Sequence, residues 1–139
     1  MTVRADFPVT IYHNPDCGTS RNTLALIRHA GVEPCVVLYL ETPLSRALVI
    51  DLIRDAGLTV RQALREKGTP FADWGLDNPD LSDDALLDAI MRSPILLNRP
   101  FVDTPLGVRL CRPSDVVLEI LPPIDRPFVK EDGEVVPVR

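Results

Sequence analysis

The order strand, helix, strand within the first forty residues is the strongest constraint on the fold. Val9 to Tyr12 is β-rich and predicts a strand. Residues from about Thr19 to Ala30 place Leu24 and Ile27 on one face and end at Gly31, a residue suited to the position just past a helix. Cys35 to Leu40, "CVVLYL", is a continuous apolar run and predicts a strand buried on both faces. Strand, helix and strand in this order imply a right-handed, parallel βαβ unit.

The middle of the chain reads as helical. Thr42 and Pro43 suit the start of a helix through Leu48, Val49, Leu52 and Ile53, ended by Gly57. Thr59 with Gln62 forms a capping-box pattern for a short helix through Arg65. "GTPFADWGLDNPD" has the punctuation of a loop. Ser82, followed by Asp83 and Asp84, suits the start of a helix with Leu86, Leu87, Ile90 and Met91 on its apolar face. Ile95–Leu97 and Phe101–Asp103 read as strand interrupted at "NRP". "TPLG" at Thr104–Gly107 is a type I turn, and Val108–Cys111 returns as a strand. Ser114 to Leu121 predicts a last helix, stopped by Pro122 and Pro123. The tail "FVKEDGEVVPV" fits either a small hairpin around Asp132-Gly133 or a loose end.

With the helical block of about residues 42–94 set aside, the order is βαβ then ββα. That is a thioredoxin-like arrangement: an α/β fold with a mixed four-stranded sheet and a helical insertion between its halves. The expectation is a single domain over residues 1–139, with a tail from about 122 to 139 and no internal repeat or linker. A length of 139 residues and a hydrophobic fraction of 45% suit one domain with a real core.

Composition narrows the function. The net charge of −5 and the lack of a basic patch argue against nucleic-acid binding. No apolar run approaches the roughly 20 residues of a membrane span. The stretch "MTVRADFPVTIYHN" has no apolar signal-peptide core, so a cytoplasmic protein is expected. Three widely spaced cysteines do not form a disulfide framework. Thirteen of the fifteen basic residues are arginine, whose planar fork grips oxyanions bidentately.

Cys17, in "IYHNPDCGTSRNTL", lies where the first strand hands over to the first helix. Backbone N–H groups and the positive end of the helix dipole favour thiolate there and would bind an incoming anion. A thioredoxin-type pair needs a second cysteine three residues on, where Ser20 stands; that serine can instead donate a hydrogen bond to the thiolate. A C-x5-R phosphatase loop needs an arginine where Thr23 stands. Neither a zinc-ligand spacing nor a glycine-rich phosphate motif is present, so no metal is expected. Buried inert cysteine is the alternative for Cys17, and it is the favoured reading for Cys35 and Cys111. His13 either pairs with Cys17 as an imidazolium or is a hydrogen-bonded structural residue; His29, in the last turn of the helix, reads as structural.

"IYHNPDCGTSRNTL", "LLNRP" and "TPLGVRLCRPS" together resemble the glutaredoxin-coupled arsenate reductases of bacteria, the ArsC family, over about Thr10 to Leu121. The resemblance implies that Cys17 is the nucleophile. It further implies that Arg65, Arg99 and Arg112 hold arsenate, and that His13 and Ser20 tune the thiolate. Pro100 matches a proline, often cis, that faces the active cysteine in this fold; Arg109 is a weaker candidate. Arsenate, glutathione as co-substrate and glutaredoxin follow as partners, with no tightly bound cofactor, no nucleic acid, no membrane and a monomer. Asp16 departs from this scheme by placing a negative charge beside an anion site. Two rival readings are a glutathione-dependent thiol reductase that does not use arsenate and an Spx-like regulator that binds RNA polymerase. Spx-type proteins use a C-x-x-C switch, which "CGTS" lacks.

Overall fold

A computed structural model describes residues 6–138; Met1–Ala5, which open the N-terminal stretch read above, and Arg139 lie outside the described residues. The chain divides into two units, Met1–Leu38 with Arg99–Arg139, and Tyr39–Asn98.

The first unit carries the sheet. Its elements are β1 (Thr10–Tyr12), α1 (Gly18–His29) and β2 (Cys35–Val37). The second unit supplies α2 (Arg46–Asp55) and α3 (Asp83–Arg92). The chain then returns to the first unit as β3 (Phe101–Thr104) and β4 (Gly107–Leu110). A 3-10 segment, Ser114–Ile120, stands where a helix is expected, and β5 (Phe128–Val129) pairs antiparallel with β6 (Val135–Val136). The tail is therefore the hairpin around Asp132-Gly133.

The four-stranded sheet has the order β2-β1-β3-β4. β1 runs parallel to β2 and antiparallel to β3, which is antiparallel to β4. This mixed sheet, with α1 joining its parallel pair, is the expected thioredoxin-like arrangement. Ile11 sits opposite Val36 on one side and Val102 on the other, and is fully buried. Leu26 and Ile27 of α1, Val117 and Ile120 complete one apolar core with it. At the end of α1, Gly31 adopts φ 86°, a left-handed conformation that costs glycine no steric penalty.

Two readings of this unit change. β2 is three residues long and is an edge strand, so Cys35 is exposed rather than a buried hydrophobe, and Val36 and Val37 are half-buried. Both faces of a strand are buried only where other elements cover them, and at the end of the sheet β2 is covered in part. Cys111 keeps its expected place in the core.

In the second unit, α2 starts later than Thr42. Ser45 is its cap, accepting from the Leu48 N–H at 3.1 Å. The Thr59–Gln62 box forms reciprocally, with bonds of 2.9 and 3.1 Å. It caps only one 3-10 turn, Arg61–Ala63, because Leu64 leaves to bridge Leu97. Arg65 is thus past the turn and not on a helix. The same bridge, with a 3-10 turn at Pro94–Leu96, replaces the strand expected at Ile95–Leu97. Ser82 caps α3 as expected, its Oγ accepting from Ala85 N–H at 3.1 Å.

Candidate active site

Cys17 is the N-cap of α1, with extended backbone dihedrals (φ −101°, ψ 120°). Its carbonyl accepts the first helical bond, from Arg21 N–H at 3.0 Å. No acidic residue occupies the first turn, and Arg28 and His29 occupy the last, so the charge pattern along α1 favours an anion at its start. The loop before it is fixed from within. Cys17 N–H donates to Asn14 O (3.0 Å), Asp16 N–H to Asn14 Oδ1 (3.0 Å) and Asn14 N–H to Ser20 Oγ (3.1 Å). Asn14, which the sequence reading passed over, is buried and organises this turn.

Ser20 is fully buried. Its hydroxyl serves Asn14 and His13 Nδ1, the latter at 2.8 Å, while its backbone N–H is the group that hydrogen-bonds the Cys17 sulfur. The serine therefore reaches the thiolate through main chain rather than through its side chain. His13 is also buried. Burial first, then the charges of Arg28 and Arg21, hold its pKa below the usual histidine value. That shift favours the uncharged ring, and the geometry places its Nδ1 against Ser20 Oγ.

β3 and β4 bring the arginines together. Their register opposes Phe101 to Leu110, so the residue before β3 and the residue after β4 meet at the same end of the hairpin. Arg99-Pro100 and Arg112-Pro113 are both cis peptide bonds, and Cys111 N–H donates to Pro100 O at 2.9 Å. Arg112 Nη1 donates to Arg99 O at 2.9 Å and reaches Cys17 Sγ at 3.7 Å. Arg99 is buried and also hydrogen-bonds the sulfur. Burial alone would push the Cys17 thiol up. The Ser20 N–H, the hydrogen bonds from Arg112 and Arg99, and the Arg112 charge outweigh it and hold the thiol below the free-cysteine value.

Arg109 turns to Glu119 (3.5 Å) and to Val108 O (2.8 Å). Arg65 belongs to the second unit, where its backbone N–H donates to Leu96 O (2.7 Å) and its Nε to Lys67 O (3.3 Å). Asp16 is exposed to solvent, which weakens its opposition to an anion at Cys17. Cys111 is fully buried, and burial pushes its thiol far above the usual range, which leaves it inert. Among the described residues no group of three or more His, Cys, Asp or Glu side chains is clustered as metal ligands would be. No described helix is long and apolar enough to cross a membrane.

A depressed thiol pKa has a measurable sign. Thiolate persists below the pH at which a free cysteine protonates, and any stability it lends is lost as pH falls through the depressed value. Iodoacetamide labelling of Cys17 against pH is expected to give a midpoint below the ~8.5 of free cysteine. A midpoint at or above that value would contradict the hydrogen-bond geometry. Labelling must be read peptide by peptide, because Cys35 is also exposed.

The sequence matches the ArsC family over residues 12–120. It is 67% identical over 129 residues to an arsenate reductase of Rhizobium meliloti, covering 92% of each chain. An arsenate reductase of Escherichia coli K12 is 55% identical over the same length and coverage. Among solved structures, an arsenate reductase from Vibrio cholerae superposes with a TM-score of 0.78 at 42% identity, over 83% of this chain and 98% of that one. A lone thiol at the start of α1 and the match across both halves of the sheet lead to one conclusion: the chain belongs to the ArsC family.

Proposed function

We propose that the protein is an arsenate reductase that uses Cys17 as nucleophile and draws its electrons from glutathione and glutaredoxin. The observation that carries this reading is a lone cysteine sulfur at a helix N-terminus, hydrogen-bonded by Arg112 and Arg99. Arsenate is a tetrahedral oxyanion. Guanidinium groups beside the sulfur offset its charge and the charge that builds as sulfur attacks arsenic. Relatives named arsenate reductase at 55–67% identity supply the substrate.

In the proposed reaction the Cys17 thiolate forms a bond to arsenic(V) and a hydroxide leaves as water. A glutathione thiolate then adds to the arsenic, displacing a second oxygen. A glutaredoxin thiol takes the glutathionyl sulfur as a disulfide, and the electron pair of the broken sulfur–arsenic bond stays on arsenic, now arsenic(III). Water releases arsenite and restores the Cys17 thiol. Ser20, in place of a second cysteine, suits a scheme in which external thiols close the cycle. His13 and Ser20 hold the thiolate's loop. Arg99 and Arg112 hold the oxyanion, with Arg65 as a third arginine whose support is the sequence resemblance alone. Reduced external thiols point to a cytoplasmic setting, and the protein is proposed to act as a monomer with no tightly bound cofactor.

The test is arsenite formation from arsenate with three donor systems: glutathione plus glutaredoxin, glutathione alone, and thioredoxin with its reductase. Turnover only with the first is expected. Equal turnover with thioredoxin would reject the donor assignment, and arsenite from none of the three would reject the activity.

A further inference from the structure

The C-terminal hairpin, residues 128–136, lies beyond the 12–120 span of the family match, yet it is tied to the element that carries the nucleophile. It docks along α1 at three points. The ring of Phe128 meets that of His29 edge-on at 5.3 Å, and His29 Nε2 is 2.9 Å from Arg126 O. Glu131 N–H donates to Asn22 Oδ1 at 3.0 Å. Its carboxylate takes the fork of Arg21, with Nε to Oε2 at 3.0 Å and Nη2 to Oε1 at 3.1 Å. On the other side the buried Lys130 anchors the hairpin to the Ser114–Ile120 segment, with Nζ 3.1 Å from Asp115 Oδ1 and 3.3 Å from Glu134 Oε1.

Arg21 still has N–H donors to offer after Glu131 is served. Nη1 donates to the Pro15 carbonyl at 2.8 Å, two residues before Cys17. The Asn14 and Ser20 bonds hold the inner side of the loop, and Arg21 holds its exposed side. We propose that Arg21 and Glu131 are positioning residues for Cys17: the hairpin aims the Arg21 guanidinium, which fixes the Pro15 carbonyl and with it the loop that presents the thiol. Two edges of one planar group are used at once, which lysine has no geometry to copy. The guanidinium also lies within electrostatic reach of Cys17 and Asp16, so the same residue that fixes the loop places a cation near the thiolate. Glu131 acts on the sulfur through Arg21.

This inference rests on Cys17 being the reacting thiol, but not on arsenate or on any electron donor. It is therefore tested by site-resolved iodoacetamide labelling of Cys17 against pH, beside thermal melting. An exposed ion pair contributes little to global stability, so Arg21→Ala and Glu131→Ala are expected to melt within about 3 °C of wild type. Each is expected to slow labelling at pH 7 by about threefold to tenfold, with the midpoint raised by about half to one pH unit. Arg21→Lys keeps the charge without the fork and is expected to recover only part of the rate. Profiles that superimpose on wild type would overturn the proposal. So would faster labelling in Glu131→Ala, which would make Glu131 a charge opposing the thiolate, or full recovery in Arg21→Lys, which would leave the fork without a role. Slowed labelling in a protein that makes no arsenite would sink the proposed activity and leave the brace standing; normal turnover with unchanged labelling would do the reverse.

Discussion

Replacing Cys17 by serine is expected to lower arsenate reduction by about three orders of magnitude or more, equivalent to at least about 4 kcal/mol of barrier. The hydroxyl is nearly isosteric, so the N-cap, the Asn14 turn and the Ser20 N–H survive the change. What is lost is ionisation. The Ser20 N–H and two guanidinium groups hold the thiol below its ordinary value, but they cannot make a serine hydroxyl ionise in the same way. Fold and anion binding should persist in the variant. The measurements are arsenite produced per enzyme and arsenate affinity by calorimetry. Residual turnover within tenfold of wild type would remove Cys17 from the nucleophile's role. Cys111 offers no substitute, since it is fully buried with its thiol pushed up, and Cys35 lies at the sheet's exposed edge.

The parts of this molecule that could be read from its sequence are those set by neighbours in the chain. The strand-to-helix handover at Cys17, the stop at Gly31 and the Thr59–Gln62 box depend on residues within a few positions of one another. The errors share a different origin. "CVVLYL" reads as a strand buried on both faces, but strand order is decided by β3 and β4, sixty-odd residues later, and leaves β2 at the edge with Cys35 exposed. Likewise the turn before Arg65 is cut short by Leu97, far along the chain. Arg99 and Arg112 stood out because each precedes a proline beside a strand, and the register of the hairpin then explains why both reach the sulfur. Arg21 and Glu131 carried no such mark. They are 110 positions apart, both partly exposed, and in a sequence rich in charge they look like solubility residues. Ser20 was legible as a residue but not in its action, because a main-chain donor leaves no trace in side-chain chemistry.

Arg112→Ala is expected to lower kcat/KM for arsenate by about a hundredfold, or about 2.7 kcal/mol. One side chain has two duties. Its Nη1 reaches the Cys17 sulfur at 3.7 Å and ties to Arg99 O at 2.9 Å, so its loss both removes a cation from the oxyanion site and frees the neighbouring arginine's backbone. The two effects separate with pH. Without Arg112 the thiol's pKa rises, because burial still pushes it up and fewer donors oppose. Raising the pH therefore restores thiolate, and iodoacetamide labelling of the variant should approach the wild-type rate at about one pH unit or more above the wild-type midpoint. Arsenate reduction should not recover with it, since alkali returns the sulfur's charge but not the guanidinium proposed to hold the oxyanion. Arg112→Lys should fall between the two, keeping a charge while losing the fork that serves sulfur and carbonyl together. If turnover recovered in step with labelling, Arg112 would act on the thiol alone and the oxyanion clamp would rest on Arg99. If neither changed more than about threefold, a deficit of roughly 0.65 kcal/mol, the arginine pair would have no part in the chemistry.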